Sequence, residues 1–281
     1  MELPGNAFAS APTKPALPSA SGPPIDSPSK SPNNAPSPAS GGKTVPRAVS
    51  RDSAAQAASA VAESVQYQGR KAARQGSEQR RQAILDAAMR IIVREGVRAV
   101  RHRAVAAEAD VPLSATTYYF KDIDDLITDT FALFVERSAE ALSAFWASVE
   151  GDLQALAAGL TGSPEARREL ADRITELAIQ YVRVQLTERR EHLLAEQAFR
   201  QEALLNPRLE QLAQSHRRIL SLGVVHFFEV LGSQQPEQDA KVLTAIILQM
   251  EYQGLLDGVE HLDTVEMRAI LTRYLYLVLG L

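Results

Sequence analysis

From about residue 77 onward, apolar side chains recur every three to four positions, as on one face of an amphipathic α-helix. No convincing stretch alternates apolar and polar residues with period two, so the pattern predicts no sheet. Three short helices are expected first, at 77–95, 101–109 and 113–120. Longer helices are expected after them, at 124–149, 164–188, 189–204, 207–231, 236–259 and 264–279. The chain is therefore expected to be all-α.

Residues that commonly begin or end helices lie at the borders of these segments. Ser77 is the expected N-cap of the first helix, and Gly96 is the expected glycine at its end. Gly151 is expected to follow the end of the 124–149 helix. Ser163 and Pro164 read as an N-cap followed by a proline in the first turn. These residues set the predicted helix limits.

The N-terminal part of the chain has a different composition. Eleven of the fifteen prolines lie in the first 46 residues, among Ser, Ala, Gly and Asn. Such a segment buries too little apolar surface to offset the entropy lost on ordering. We therefore expect a disordered tail with a basic end at 1–76, a small helical domain at 77–125 and a larger one at 126–281.

Charge is distributed unevenly along the chain. Residues 70–103 contain ten Lys/Arg and three Asp/Glu, a balance of +7. Residues 104–281 contain fifteen Lys/Arg and twenty-seven Asp/Glu, a balance of −12. A basic block next to an acidic body is typical of a DNA-contacting segment, because attraction to phosphate is local. A solvated helix face explains the charge equally well.

Several function classes are disfavoured by the residues present. The sequence has no cysteine, which excludes disulfides, thiolate metal ligands and cysteine nucleophiles. The histidines belong to no di-iron or zinc-protease motif, and Gly-x-Ser-x-Gly is missing, so an enzyme with a catalytic site, cofactor or metal is not expected. No apolar run reaches the roughly 18 residues of a membrane span, and no secretory signal pattern is found. We expect a soluble, cytoplasmic protein without membrane contact.

The helices at 101–109 and 113–120, joined at Asp110 and Pro112, have the dimensions of a helix-turn-helix. The second helix carries no acidic side chain, and its hydroxyl and methyl groups suit base edges in the major groove. The predicted DNA-binding residues there are Leu113, Ser114, Ala115, Thr116, Thr117, Tyr118, Tyr119 and Lys121.

This region is similar to a known family. RRQAILDAAMRIIVREGVRAV, followed by RHRAVAAEADVPLSATTYYFKDIDDLI, resembles the DNA-binding domain of the TetR (tetracycline-repressor) family. The matching features, in order, are Gly96, Val105-Ala106, Val111, Tyr118, Phe120 and Leu126. The chain departs from the family pattern at Asp110, Pro112, Thr117 and Ile123, and Ile123 stands where a phosphate-binding lysine is common.

The resemblance implies further DNA contacts upstream of the second helix. Arg101, His102 and Arg103 lie where similar regulators touch the DNA backbone, with solvated surface as the alternative. A basic arm along the minor groove is a second expectation, and a flexible basic linker is equally compatible with it. The residues of this arm are Arg70, Lys71, Arg74, Arg80 and Arg81.

For the larger domain the resemblance implies an effector pocket and a dimer interface. The candidate pocket residues are Phe131, Phe134, Trp146, Tyr181, Phe199, His226, Phe227 and Tyr252, although core packing is the more common role of such side chains. The candidate dimer residues are Ile246, Ile247, Met250, Leu271 and Leu275, a stripe that would serve equally well as intrachain core.

The sequence therefore predicts a homodimeric transcriptional regulator that binds a near-palindromic, double-stranded DNA operator. Release from the operator by a small apolar effector, and hence repression, is the expected mode. The alternative is a DNA-binding protein of the same fold that has no effector and is controlled by, or recruits, a protein partner.

Overall fold

The computed structural model describes residues 66–69, 75–158 and 163–281. Within these ranges the regular structure is helical, with no strand, so the all-α prediction is confirmed. The α-helices are α1 (Gln75–Glu95), α2 (His102–Glu108), α3 (Leu113–Tyr119), α4 (Ile123–Ala158), α5 (Pro164–Glu188), α6 (Arg190–Ala203), α7 (Glu210–Val230), α8 (Pro236–Asp257) and α9 (Thr264–Leu279). Short 3-10 turns lie at Val97–Ala99, Pro207–Leu209 and Val259–His261.

Backbone geometry explains several helix ends. Gly96 follows α1 with a φ of 83°, which favours glycine because a Cβ would crowd the backbone there. The Ser163 hydroxyl accepts a hydrogen bond from the backbone N–H of Ala166 at 3.3 Å, and Pro164 occupies the first turn of α5. These ends agree with the predicted limits.

Two predicted boundaries are wrong. Ser77 lies inside α1 rather than at its cap, since the helix includes Gln75. Gly151 lies inside α4, which continues to Ala158. The cost of one helical glycine, about 1 kcal/mol relative to alanine, does not end a helix that buries a long apolar stripe.

The predicted tail at 1–76 lies mostly outside the described residues. In the described part of this segment, the backbone N–H groups of Gln68 and Gly69 donate to Asp129 on α4, and Gln75–Gly76 begins α1. None of the helices in the described ranges is long and apolar enough to cross a membrane.

One hydrophobic core connects the first helices to the rest of the fold. Ile84, Leu85 and Ile92 of α1 pack with Phe120, which follows α3, and with the apolar face of α4, α6 and α7. Two smaller clusters join α5, α7, α8 and α9. The helices α1–α3, called the head below, are therefore supported from one side by a continuous core, and their other side faces solvent.

Candidate DNA-binding surface

The seven-residue helix α3 has one face in the core and one in solvent. Thr116 is 0% exposed, and its hydroxyl donates to the carbonyl oxygen of Leu113 at 2.8 Å. Tyr119 is also buried, and its hydroxyl forms a 2.7 Å hydrogen bond with the hydroxyl of Ser77 on α1. Thr116 was predicted to contact bases and Tyr119 to reach phosphates, but both side chains are buried and hold α3 against the core.

The opposite face of α3 carries the side chains that can meet DNA. Leu113, Ser114 and Thr117 are exposed, and Ala115 is half-buried. Tyr118 is 54% exposed and stands edge-on against the Tyr119 ring, with the ring centres 5.0 Å apart. The outward surface therefore offers two small hydroxyls, a methyl group and an aromatic hydroxyl, which can form hydrogen bonds and apolar contacts with base edges.

The turn before α3 fixes its direction. Asp110, where the sequence predicts the turn, has a φ of 51°. Asp tolerates this left-handed conformation better than most residues. Across the turn, the Val111 N–H donates to the carbonyl oxygen of Ala106 at 3.0 Å. On α2, Val105 and Ala106 are buried against the core. The two helices consequently form one rigid unit.

An ion-pair network ties α2 to α1 at the surface. The Glu108 carboxylate accepts from Arg90 Nε at 2.7 Å and from Arg94 Nη2 at 3.2 Å. Hydrogen bonds from Arg90 and then Arg94 lower the pKa of Glu108. Glu108 is thereby neutralised locally, which reduces its repulsion of a nearby phosphate.

Several exposed cations lie on the head or just beyond α3. Arg98, Arg101, Arg103 and Lys121 are all exposed. Arg101 donates from Nη1 to the carbonyl oxygen of Val100 at 2.8 Å, which holds its guanidinium near the start of α2. His102 is half-buried, and its Nδ1 lies inside the head without a hydrogen-bond partner. The arginines are therefore better placed for phosphate contact than the histidine.

The predicted basic arm is only partly within the described residues. Arg70, Lys71 and Arg74 lie outside them, and Arg80 is exposed on α1. Arg81 was predicted for this arm, but it is buried and its Nη2 lies 2.7 Å from Asp129 Oδ2. Its charge is already paired inside the protein, so it cannot reach DNA.

Residues 84–130, which contain the two-faced helix and its turn, match the family model described as bacterial regulatory proteins, tetR family. This segment is therefore of the tetR DNA-binding type. The predicted family resemblance is thus confirmed, and the matched segment includes Gly96, Val105, Val111, Tyr118 and Phe120. Proteins of this family are DNA-binding transcriptional regulators.

Solved structures similar to this regulator include a TetR-family member from Streptomyces coelicolor A3, with 28% identity over 70% of this chain and 98% of that chain and a TM-score of 0.48. The multidrug binding protein EbrR complexed with ethidium has 28% identity over 70% of this chain and 98% of its own, with a TM-score of 0.47. A TetR-family transcriptional regulator from Rhodococcus sp. has 22% identity over 72% and 99%, also with a TM-score of 0.47. No curated protein matches the sequence.

Three of the predicted effector residues of this regulator are ordinary core. The rings of Phe131 and Phe199 stack with centres 4.1 Å apart, and Phe134 packs against Phe199 at 5.4 Å. All three are buried. Their rings pack against one another in this core, so their part in an effector site stays a prediction.

The other predicted effector residues lie in different surroundings. Tyr252 is exposed on α8. Phe227 packs edge-on against Phe228, and His226 Nε2 lies 3.1 Å from Glu150 Oε2. Trp146 and Tyr181 both contact Phe145, with ring centres 5.2 and 5.5 Å apart. Trp146 and Tyr181 therefore share one aromatic cluster between α4 and α5.

Trp146 is held against a glycine of α7. A Cβ added at Gly223 would overlap the indole ring, so the close approach of α4 and α7 here requires glycine. The indole Nε1–H is buried and has no hydrogen-bond partner. A buried donor without a partner costs about 1–3 kcal/mol, which makes this position notable in an otherwise apolar cluster.

The predicted dimer residues divide into buried and partly exposed ones. Leu271 is 0% exposed, and Leu275 and Met250 are also buried in clusters within one chain. Ile246 and Ile247 are half-buried. Assignment of Leu271 and Leu275 to a dimer contact is wrong, because α5 and α8 already cover them.

The exposed apolar face of the last two helices is a different set from these five residues. Its members recur with spacings of three and four residues, as in a helix–helix seam. On α8 they are Val242, Ala245, Tyr252 and Leu256, and on α9 they are Ile270 and Leu277. The spacing was readable in the sequence, but it does not separate this face from the buried one. A groove of about 470 Å³ runs between the two helices.

Two carboxylates lie buried in the larger helical domain. Glu196 on α6 and Glu251 on α8 are both inaccessible, and burial raises the pKa of Glu196. Burial, followed by the nearby Glu196 charge, raises the pKa of Glu251 to about 8, while Arg189 and Arg200 act in the opposite direction. Among the described residues, no group of three potential ligands is arranged to hold a metal ion.

This burial predicts a pH-dependent stability that Glu251→Gln should remove. Because the pKa of Glu251 rises from 4.5 to about 8 on folding, the native state holds a proton that the unfolded state has lost between these pH values. The free energy of unfolding then falls as pH rises through this window. Glutamine resembles the protonated acid, so its advantage over wild type should grow by at least about 1 kcal/mol between about pH 5 and about pH 8.5.

The measurement is urea unfolding of both proteins at several pH values. Burial lowers the pKa of His216 to about 3, so this residue makes the free energy of unfolding rise with pH in both proteins. Subtracting the wild-type free energy from that of the variant removes this shared trend. Glu169→Gln, an exposed change on α5, serves as the control and should give a curve parallel to wild type. A constant difference between Glu251→Gln and wild type would contradict the assignment.

Proposed function

We propose that this chain is a dimeric transcriptional regulator that binds a near-palindromic DNA operator through α3 and leaves it when a small effector binds the larger domain. The observation that carries the proposal is the outward face of α3, where Ser114, Thr117 and Tyr118 are exposed; on α2, which packs against α3, and at its start, Arg103 and Arg101 are exposed as well. Repression follows when the operator overlaps a promoter.

The head has the shape that operator recognition requires. A recognition helix enters the major groove with its N-terminal residues toward the base edges, while flanking cations contact phosphates. In α3 the exposed Ser114 belongs to this N-terminal part, and the exposed Thr117 lies about one turn further along the helix. Lys121, just beyond the helix, supplies an exposed cation near the position where Ile123 replaces a common phosphate contact.

A second copy of the chain is the proposed occupant of the exposed apolar face on α8 and α9. Val242 is 46% exposed and Ile270 is 42% exposed, although both flank an apolar groove. Packing this face against its symmetry mate forms a four-helix interface and removes it from water. A dimer also separates two α3 helices by about 34–36 Å when each enters a successive major groove, which explains a palindromic operator.

The Trp146 cluster supports the proposed effector site. An effector with an apolar body and one hydrogen-bond acceptor would separate Trp146 from Gly223 of α7, pack against the rings of Phe145 and Tyr181 and accept from the unpartnered Trp146 N–H. Such a ligand weakens operator binding only by as much as it prefers the arrangement of the heads that does not fit DNA.

The two faces of α3 give a matched test of DNA recognition. Operator sites are first selected from random duplex DNA with the wild-type protein, and dissociation constants are then measured. The double variant Ser114→Ala/Thr117→Val should bind about tenfold or more weakly, because it removes two exposed hydroxyls from the base-reading face.

The control is Thr116→Val, the same chemical change one residue away on the buried face. It should lower the melting temperature slightly and leave the dissociation constant of the folded protein unchanged. If Thr116→Val loses affinity while the double variant keeps it, the orientation assigned to α3 is wrong.

Charge on the α8 and α9 face should break the dimer. Ile270→Glu places an acidic group at the centre of the proposed interface, where desolvation opposes its burial. Sedimentation velocity at micromolar concentration should report a monomer. The control Leu177→Glu, on an exposed apolar residue of α5, should remain dimeric. A dimeric Ile270→Glu would place the interface elsewhere.

The effector proposal is testable through the single tryptophan of the chain, Trp146. Compounds that raise the melting temperature in a metabolite screen are titrated while tryptophan emission is recorded. A true pocket ligand should change the emission with the same dissociation constant that the thermal shift gives. Trp146→Phe, which removes the N–H donor, should weaken that ligand. A stabilising ligand that leaves the emission and the Trp146→Phe affinity unchanged would contradict this site.

A further inference from the structure

The carboxylate of Asp129 on α4 is buried and receives three hydrogen bonds. Its Oδ1 accepts from the backbone N–H of Gln68 at 2.5 Å. Its Oδ2 accepts from the backbone N–H of Gly69 at 2.8 Å and from Arg81 Nη2 at 2.7 Å. Two of the three donors come from Gln66–Gly69, a segment ahead of α1 that is called the strap below. The charge is therefore stabilised jointly by the head and by the strap.

A side chain of the strap makes a second attachment to α4. The Tyr67 hydroxyl donates to Glu136 Oε2 at 2.5 Å, and the Arg81 guanidinium lies over the Tyr67 ring at 4.7 Å from its centre. Burial, with the bond to Glu136, raises the pKa of Tyr67, so the hydroxyl keeps its proton. The strap thus covers the Arg81–Asp129 pair and contacts α4 about two helical turns apart.

The fit at Gly69 is close enough to exclude a side chain. A Cβ at this position would lie 2.6 Å from Asp129 Oδ2 and 2.9 Å from the Phe120 ring, both closer than carbon normally approaches. Phe120 directly follows α3. The strap therefore contacts α4 at the point where the DNA-reading helix joins the body.

Another polar tie between head and body is weaker by its exposure. Arg137 of α4 pairs with Asp86 of α1 at 2.7 Å, and both side chains are partly exposed. Exposed pairs contribute about 0–1 kcal/mol, whereas removing a partner from a buried charge costs considerably more. The angle of the head on α4 should therefore be most sensitive to the buried site at Asp129.

We propose that the strap is a positioning element for DNA binding, which holds the head at the angle that fits the operator by completing the hydrogen bonding of Asp129. The inference rests on the proposed DNA-binding function. The strap contains only Gln, Tyr and Gly and has no charge to offer a phosphate. Its effect on affinity is conformational, because loss of the strap lowers the fraction of heads in the binding-competent orientation.

The test compares two glycine substitutions in the full-length protein. Gly69→Ala inserts a methyl group that the strap cannot accommodate, and it changes no charge. Gly76→Ala is the matched control, because a Cβ at that position of α1 meets nothing within 4 Å. Asp129→Asn, which keeps the size of the side chain but removes its charge, is the second variant from the α4 side.

Operator affinity and its salt dependence are measured on the active fraction, determined by stoichiometric titration. Gly69→Ala should bind about tenfold more weakly, equivalent to about 1.4 kcal/mol. The slope of affinity against salt concentration should not change, because the number of phosphate contacts is the same. Gly76→Ala should match wild type, and Asp129→Asn should weaken binding at least as much as Gly69→Ala.

Head position is measured independently by spin labels. The chain has no cysteine, so Glu95→Cys introduces one label site at the exposed end of α1. In the proposed dimer, the distance distribution between the two labels should be narrow for wild type and Gly76→Ala, and broad for Gly69→Ala. A merely stabilising role of the strap would change neither this distribution nor the affinity of the active fraction.

Two results would overturn the proposal. One is a Gly69→Ala protein with wild-type affinity and a wild-type distance distribution. The other is a loss of affinity accompanied by a shallower salt slope, which would mean that the strap acts through phosphate contacts. A wild-type protein that selects no DNA would contradict the proposed function instead, and the label distances would still decide whether the strap holds the head.

Discussion

The two-sided packing of α3 is the constraint on which the DNA-binding surface depends. A seven-residue helix has little stability by itself, so its orientation comes from the side chains that it buries. Thr116 and Tyr119 are buried, and the hydroxyl pair of Tyr119 and Ser77 links the helix to α1. With these side chains fixed inward, Ser114 and Thr117 have only solvent to face. The same residues that support the core thereby define what can reach a base edge.

Buried polar groups add specificity to this apolar scaffold. The hydrophobic core runs from the head into α4, α6 and α7, and apolar contact alone tolerates sliding of one helix over another. The Arg81–Asp129 pair does not, because its hydrogen bonds exist at one geometry and a displaced buried charge is costly. In the larger domain, the burial of Glu251 raises the pKa of its carboxyl group. Both buried polar sites are therefore sensitive to a shift of the surrounding helices, such as the one expected between the DNA-bound and the released state.

Local signals in the sequence predicted the helices, the turn and the family well. It was less predictable which side of each helix faces the core and which residues pair with each other. Gly151 failed as a helix end because the packing of α4 exceeds the local cost of glycine. Thr116 was assigned to DNA because a small hydroxyl residue suits either face of a short helix. Ile270 and Leu271 are neighbours, and only the positions of α5 and α8 decide that the second is core. Asp129 did give a signal, since an acid within an apolar stripe needs a partner, but the partner is 48 residues away in the chain.

The central claim is that the exposed side of α3 lies in the major groove of a bound operator. The most direct measurement attaches a copper–phenanthroline cleavage reagent to a single cysteine at position 117, introduced as Thr117→Cys into this cysteine-free chain, and maps the cuts on selected operator DNA. Two clusters of cuts about one helical turn apart, one in each half-site, are the predicted result. The account would be contradicted by DNA that is bound but not cut, or cut equally well from a reagent placed on Leu177→Cys of α5.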